Sequence, residues 1–177
     1  MYLDEYLNYG KCTNILAESA GRALGGIISK FKQHSIGYKT YTKMFDTSVV
    51  PILNYGSEIW GYGTFTNCDK IFNRAMRYFM GVHRFAPTAA IQGDMGWVSL
   101  KYRRYINVLR FWNRLVRMDD SRLVKRIFLE SYMEEANNWC TDVYHLAELF
   151  DVLDDYRCKN AFDIKAIEDK CVILMMN

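Results

Sequence analysis

Apolar residues recur at three- and four-residue spacing from about Lys11 to Phe150, and no stretch shows the strict alternation of a half-buried strand. This period is typical of helices that bury one face. Proline, which breaks helices, occurs only twice. The predicted helices cover residues 11–31, 67–80, 87–96, 100–118, 122–136 and 141–150. A further predicted helix lies between the first two of these and contains Pro51. We therefore predict an all-α fold, an irregular multi-helix bundle whose last part reads as a domain cut short.

The stretch PILNYGSEIWG, residues 51–61, places a proline inside one of these helical patterns. A proline within a helix removes an N–H donor and clashes with the preceding turn, at a cost of about 3 kcal/mol. We therefore predict a helix that bends at Pro51 and is held by packing. Glu58 lies in the same stretch, two residues before Trp60 and among apolar residues. No histidine or nucleophilic side chain lies close to it in the sequence. A structural salt bridge is the favoured role for Glu58, and a catalytic carboxylate is the alternative.

The longest amphipathic segment, residues 100–118, carries the main candidate chemistry. Its predicted buried face consists of Tyr105, Val108, Leu109, Trp112, Leu115 and Val116. The opposite face carries four arginines with an asparagine among them, namely Arg103, Asn107, Arg110, Arg114 and Arg117. Arginine forks match phosphate oxygens, so this face is a candidate for nucleic-acid backbone contacts, and a merely solvated face is the alternative.

Other residues extend this candidate nucleic-acid-binding surface. Lys70, Arg74 and Arg77 fall on the polar side of the predicted helix 67–80. Two aromatic residues interleaved with the basic ones, Tyr102 and Phe111, are candidates to stack on bases, although such residues more often belong to the core.

The formal net charge of +3 hides a strong asymmetry along the chain. Residues 70–126 hold 13 Lys/Arg against 3 Asp/Glu, a net charge of +10, whereas residues 127–177 hold 4 against 11, a net charge of −7. The basic middle is a candidate polyanion-binding surface. The alternative is a helical protein-interaction module, in which the basic middle and acidic tail neutralise one another or an acidic partner.

Five cysteines, odd in number and widely spaced, argue against a disulfide framework, and no signal peptide precedes them. We expect a reducing intracellular compartment, either cytoplasm or nucleus. A zinc site that joins Cys140 and His145 to Cys158 and Cys171 lacks the close paired spacing of structural zinc sites, so ordinary core cysteines are favoured. The longest apolar runs are far too short to cross a bilayer, and we expect no membrane partner.

Two acidic pairs invite comparison with metal-binding catalytic carboxylates. Asp119 and Asp120 separate two amphipathic segments and are better placed to end one helix and start the next than to hold metal ions. Asp154 and Asp155 fall in the acidic tail without a third carboxylate at recognisable spacing. No phosphate loop, serine elbow or metalloprotease motif is present. We therefore predict no catalytic residue, no cofactor and no metal ion, and an independent enzyme is the disfavoured third alternative.

Three stretches in this order resemble the region that follows the palm in reverse transcriptases of non-LTR (LINE-type) retrotransposons. They are PILNYGSEIWG, then FNRAMRYFMGVHRFAPTAAIQGDMGWVSL, and then RFWNRL, and the resemblance covers roughly residues 2–139. Tyr2 and Leu3 stand where the family has the Tyr-Leu-Gly segment that closes the palm. The resemblance implies a helical, thumb-like region over residues 1–139 that grips template and primer backbone, followed by a truncated acidic helical extension over residues 140–177.

The departures from this family are as informative as the resemblance. Fingers, palm and the aspartate motif of the polymerase site have no counterpart in the sequence, nor do an endonuclease or a downstream cysteine-histidine knuckle. We therefore expect a non-catalytic fragment or decayed copy whose parent is an RNA-directed DNA polymerase. Its expected partners are RNA or DNA backbone and the palm and fingers of that parent.

Overall fold

A computed structural model describes residues 9–134 and 138–176 of the chain. Every regular element in these ranges is an α-helix and none is a strand, so the predicted all-α class is confirmed. The chain divides into two compact units, which are described separately. The chain passes from one unit to the other at three points, the first of which falls inside the stretch PILNYGSEIWG, between Gly56 and Ser57.

The first unit contains residues up to Gly56 together with Thr64–Leu100. Its helices are α1 (Gly10–Gln33), α2 (Tyr38–Ser48), α3 (Val50–Leu53), α5 (Thr66–Met80) and α6 (Thr88–Met95). Helix α5 ends at Gly81, whose left-handed φ of 64° explains why glycine caps it, as the sequence predicts. Aromatic packing fills the core, where the rings of Phe45 and Trp97 stack with centroids 4.6 Å apart.

The prediction of one continuous helix that bends at Pro51 is wrong. Helix α2 already ends at Ser48, and Pro51 falls in the first turn of the short helix α3. A proline there costs little, because the first N–H groups of a helix have no intrahelical partner. Gly56 then turns the chain with a φ of 70° before the next helix begins.

The second unit contains Ser57–Gly63 together with residues from Lys101 onward. Its helices are α4 (Ser57–Trp60), α7 (Leu100–Val116), α8 (Leu123–Met133), α9 (Trp139–Leu149), α10 (Leu153–Arg157) and α11 (Ile164–Met176), of which α7 begins one residue before the unit does. Helix α9 runs across the boundary predicted at 139/140, and the division into a thumb-like region and an extension stays a prediction. The core of this unit is built around Trp112.

Trp112 is fully buried on α7 and ties the end of the chain to that helix. Its ring stacks on Tyr156 and Phe162, with centroids 4.9 Å and 5.7 Å away, and packs edge-on to Phe128. Its indole N–H donates to the carbonyl of Asn160 over 3.0 Å. The acidic tail therefore completes the core of the second unit instead of standing apart from it.

Two helices of the second unit, α8 and α9, begin at residues other than those predicted. Asn138 precedes α9 and forms a capping box. Its side chain accepts from the N–H groups of Cys140 and Thr141, and the Thr141 hydroxyl accepts from the main-chain N–H of Asn138. Helix α8 begins at Leu123 without a side-chain cap. The carboxylate of Asp119, expected to help start this helix, instead accepts from the main-chain N–H of Ser121 over 2.9 Å. The predicted end of α8 at residue 136 lies outside the described residues.

Candidate nucleic-acid interface

A cleft of about 940 Å³ on the second unit is lined by nine residues, of which four are arginines. Arg110, Arg114 and Arg117 line the cleft from the polar face of α7. Arg122, the residue immediately before α8, also lines it. All four are exposed. Four guanidinium groups around one concavity form a surface that suits several phosphate oxygens at once.

The amphipathic character of α7 places the three helical arginines in this cleft. Leu109, Trp112 and Leu115 are buried on the opposite side with at most 3% of their surface exposed. Because residues three and four apart share a helix face, burial of these apolar residues turns positions 110, 114 and 117 outward. The predicted buried face is confirmed except at Val116, which is only partly buried.

The turn after α7 is held by a buried lysine. Lys125 is 7% exposed, and its ammonium donates to the carbonyls of Leu115 and Val116 over 3.0 Å and 2.8 Å. These carbonyls belong to the last turn of α7, where a helix lacks its own donors and favours a positive charge. Lys125 therefore fixes how α8 follows α7 and, with it, how Arg122 reaches the cleft.

Acidic groups moderate the positive charge of the cleft. Arg110 forms an ion pair with Glu168 of α11, with Nη2 and Oε1 2.6 Å apart. Asp119 also lines the cleft, and hydrogen bonds from the Ser121 hydroxyl and N–H lower the pKa of its carboxyl, which stays ionised at neutral pH. Arg114 lies over the ring of Phe111, 4.8 Å from its centroid. Arg110 is thus the member of the cleft already bound to a carboxylate.

The structure does not bring every predicted basic residue of α7 to the cleft. Arg103 is half-buried and engages another group, and the neighbouring Arg104 is 1% exposed. Asn107, predicted on the same polar face, donates through its amide to the hydroxyl of Ser57 over 2.9 Å. The first turns of α7 are therefore embedded, and only its last turns expose arginines in a line.

On the first unit, Lys70, Arg74 and Arg77 line a separate concave surface together with Arg84. Lys70 and Arg74 are exposed. Arg77 donates through one guanidinium nitrogen to the carbonyl of Ala86 over 3.1 Å and to the hydroxyl of Thr88 over 2.7 Å. Arg77 thus holds the segment that leads into α6, and Lys70 and Arg74 are the more available pair for an anion.

The two aromatic candidates for base stacking lie in different surroundings. Phe111 is half-buried between the guanidinium of Arg114 and the edge of Trp139, whose ring centroid is 5.4 Å away. Tyr102 packs against Tyr105, with ring centroids 6.1 Å apart. Arg114 already covers one face of Phe111, so a base at this site would meet the guanidinium first.

The remaining chemistry considered from the sequence involves cysteines, acids and Glu58. All five cysteines are free thiols, and within residues 9–134 and 138–176 no three His, Cys, Asp or Glu side chains are grouped to hold a metal ion. Burial raises the pKa of the Cys140 thiol to about 11. The salt bridge predicted for Glu58 is not among the ion pairs of the described residues. Its main-chain carbonyl instead accepts the indole N–H of Trp139 over 2.9 Å.

Sequence reasoning missed two residues that shape the cleft. Arg122 was considered only as a helix start, although it follows Arg117 after one tight turn. Lys125 was counted as a basic residue and is instead buried. A usable signal for Lys125 is its position three residues before Phe128, which places it on the helix face that buries this ring.

Comparison with protein-family models, with curated proteins and with solved structures finds no match to this chain. None of the helices in the described ranges combines the length and the apolarity that crossing a bilayer demands.

Proposed function

We propose that this chain is a non-catalytic part of a non-LTR retrotransposon reverse transcriptase whose basic helical surface binds RNA or DNA backbone. The observation that carries the proposal is the arginine cleft of Arg110, Arg114, Arg117 and Arg122. The order of the three motifs along the sequence supports the family. Five free thiols are compatible with a reducing intracellular compartment, which belongs to the same proposal.

Backbone binding by such a cleft is electrostatic and should depend on salt. If four phosphates are neutralised, the logarithm of the association constant falls with the logarithm of salt concentration at a slope of about −3 to −4. Arginine binds phosphate through two parallel hydrogen bonds, so the cleft positions a backbone without reading its sequence. We therefore expect similar affinities for oligonucleotides of equal length and different sequence.

Fluorescence anisotropy with labelled RNA and DNA, at about 50 to 200 mM salt, tests this proposal. The double variant R114A/R117A should weaken binding about tenfold or more and flatten the salt slope by about 1.5 to 2. The matched control is R22A, because Arg22 is an exposed arginine of α1 whose hydrogen bond goes to Ser19. Salt-independent binding, or no binding in low salt, would refute the proposal.

The non-catalytic part of the proposal has its own test. Incubation with primer, template, nucleotides and Mg²⁺ should give no extension, because the described residues contain no group of three His, Cys, Asp or Glu side chains that could hold a metal ion. Product formation by the purified chain would contradict this part and leave backbone binding to be judged by anisotropy.

The ion pair between Arg110 and Glu168 favours a second candidate, a protein-interaction module whose basic surface takes acidic protein segments. Poly-glutamate of the same charge as the oligonucleotide separates the two candidates. Equal affinity for both polymers supports the interaction module, whereas a clear preference for the nucleic acid supports backbone binding.

A further inference from the structure

The outer face of α8 combines exposed apolar and charged side chains in a regular order. Leu123 and Met133 are 68% and 81% exposed, and Arg126 and Glu130 between them are exposed as well. Phe128, at the middle of the helix, is 5% exposed and points into the core. Two large apolar residues therefore stand in solvent at the two ends of one face, with two opposite charges between them.

These four residues form a seam with an internal symmetry. Their spacing is three, four and three residues, and at about 100° per residue all four fall within about 40° of the direction opposite Phe128. Leu123 and Met133 are equally distant from Phe128, one on each side, and so are Arg126 and Glu130. If the seam is placed against an antiparallel copy of itself, apolar residues lie opposite apolar residues and the positive charge lies opposite the negative one.

We propose that this chain forms a two-fold symmetric dimer in which α8 packs antiparallel against α8 of a second copy. Two helices related in this way, with their midpoints at Phe128, bring Leu123 level with Met133 of the other copy and Arg126 level with its Glu130. The contact contains two such ion pairs and two apolar pairs, the arrangement that an isologous interface requires. A parallel arrangement would instead oppose like charges.

Charge and shape favour a second copy over other occupants. The seam carries one positive and one negative charge, so it offers no net attraction to a polyanion and complements itself. Ile127, about half exposed, lies beside the seam, and together with Val124 and Phe111 it lines a groove of about 220 Å³. Residues at three- and four-residue spacing lie along one side of a helix, so the four residues of the seam can lie against a second helix together.

The size of the contact predicts a weak dimer. Helix α8 has 11 residues. At 1.5 Å per residue it is about 16 Å long, too short to bury by itself the roughly 800 Å² per partner of a standard interface. We therefore expect a dissociation constant in the micromolar range.

Sedimentation velocity of the full chain at about 1 to 200 µM tests the proposal. The variants R126E and E130R each place like charges opposite one another, so each should weaken dimerisation about tenfold or more. The double variant R126E/E130R reverses both charges and should restore the dimer. An equimolar mixture of R126E and E130R should form a heterodimer, because every cross-pair then has opposite charges.

Two controls keep the test specific. Lys165 is exposed on α11, so K165E changes charge by the same amount away from the seam and should leave dimerisation unchanged. Circular dichroism checks that each variant keeps its helices. The variant L123K provides a second test, since it removes both apolar pairs and should also weaken the dimer.

Several outcomes would overturn the proposal. A chain that stays monomeric over the whole concentration range has no such interface. A dimer unaffected by R126E and E130R uses another surface, and a double variant that stays monomeric shows that the two charges do not meet across the contact. A strictly monomeric chain whose binding of an acidic peptide or an oligonucleotide is lost in R126E but kept in R114A/R117A would assign the face to that occupant instead.

Discussion

Arg110 and Glu168 form an ion pair that links the polar face of α7 to α11, with their nitrogen and oxygen atoms 2.6 Å apart. Both side chains are about half exposed, so the pair contributes little to stability. Its effect is on the arginine cleft, because a carboxylate occupies one guanidinium that a phosphate would otherwise use. Under the proposed function, a bound backbone competes with Glu168.

The variant E168Q should therefore bind oligonucleotides more tightly, by about two- to fivefold at low salt, because it frees Arg110. The control is D169N, which removes the same charge from the exposed neighbouring residue. Anisotropy titrations measure both. Equal gains for the two variants would mean that overall charge, and not the ion pair, limits binding.

Lys125 is expected to stabilise the second unit through the end of α7. In K125M the carbonyls of Leu115 and Val116 lose a buried, charged donor while the aliphatic volume is largely kept. We expect a loss of about 2 to 3 kcal/mol in the free energy of unfolding, measured by urea denaturation. The control variant K165M, at an exposed lysine, should change the free energy of unfolding by less than about 0.5 kcal/mol. If K125M and K165M have similar effects, Lys125 does not cap α7.

Asn113 is expected to anchor the acidic tail to α7. Its buried amide donates to the carbonyl of Phe162 over 2.8 Å and accepts from the N–H of the same residue over 2.7 Å. The variant N113A leaves both main-chain groups unsatisfied and should cost about 2 to 4 kcal/mol in urea denaturation. N107A, on the same helix, removes a single, less buried bond and should cost less.

Gly61, the last residue of PILNYGSEIWG, is expected to tolerate no side chain. A Cβ there would lie 2.3 Å from the carbonyl oxygen of Ser57 and 3.1 Å from the Cβ of Arg104. G61A should therefore lose about 3 kcal/mol or more in thermal or urea unfolding.

Gly25, inside α1, provides the contrast, because nothing lies within 4 Å of its would-be Cβ. G25A should gain up to about 1 kcal/mol from helix propensity. If the two substitutions have equal effects, the close approach at Gly61 is not what limits that position.

The buried thiols are expected to make stability fall at alkaline pH. Burial raises the pKa of the Cys140 thiol from 9.0 to about 11. The pKa of the Cys171 thiol is also raised from 9.0 to about 11, and burial is the larger of its two causes. A pKa raised in the folded state means that folding favours the protonated thiol. The resulting contribution to the free energy of unfolding is complete below pH 9.0 and is lost as pH rises to about 11. C140A/C171A should flatten the dependence of unfolding free energy on pH in this window.

Alkylation checks the same two thiols directly. At pH 8 the exposed Cys158 should react with iodoacetamide before Cys140 and Cys171, and in denaturant the difference should disappear. Mass spectrometry of peptides after timed quenching identifies the modified residue. Early modification of Cys140 in the folded chain would contradict its burial.

Local rules predicted the helices well. The period of apolar residues predicted the buried face of α7, and Gly81 predicted the end of α5, because both signals depend only on neighbours within a turn or two. The continuous helix through Pro51 was wrong, since the same apolar spacing continues across a break. Periodicity reports which residues face inward and does not report where a helix stops.

The sequence by itself determined an all-helical chain with a basic middle, an acidic tail and a line of arginines on one helix face. Only the tertiary structure decided which of those arginines act together. Arg122 joins Arg114 and Arg117 through the turn held by Lys125, whereas Arg103 and Arg77 engage other groups. The reason is physical: helical spacing is set by the backbone over a few residues, while convergence depends on chain reversals and on contacts between residues far apart in sequence.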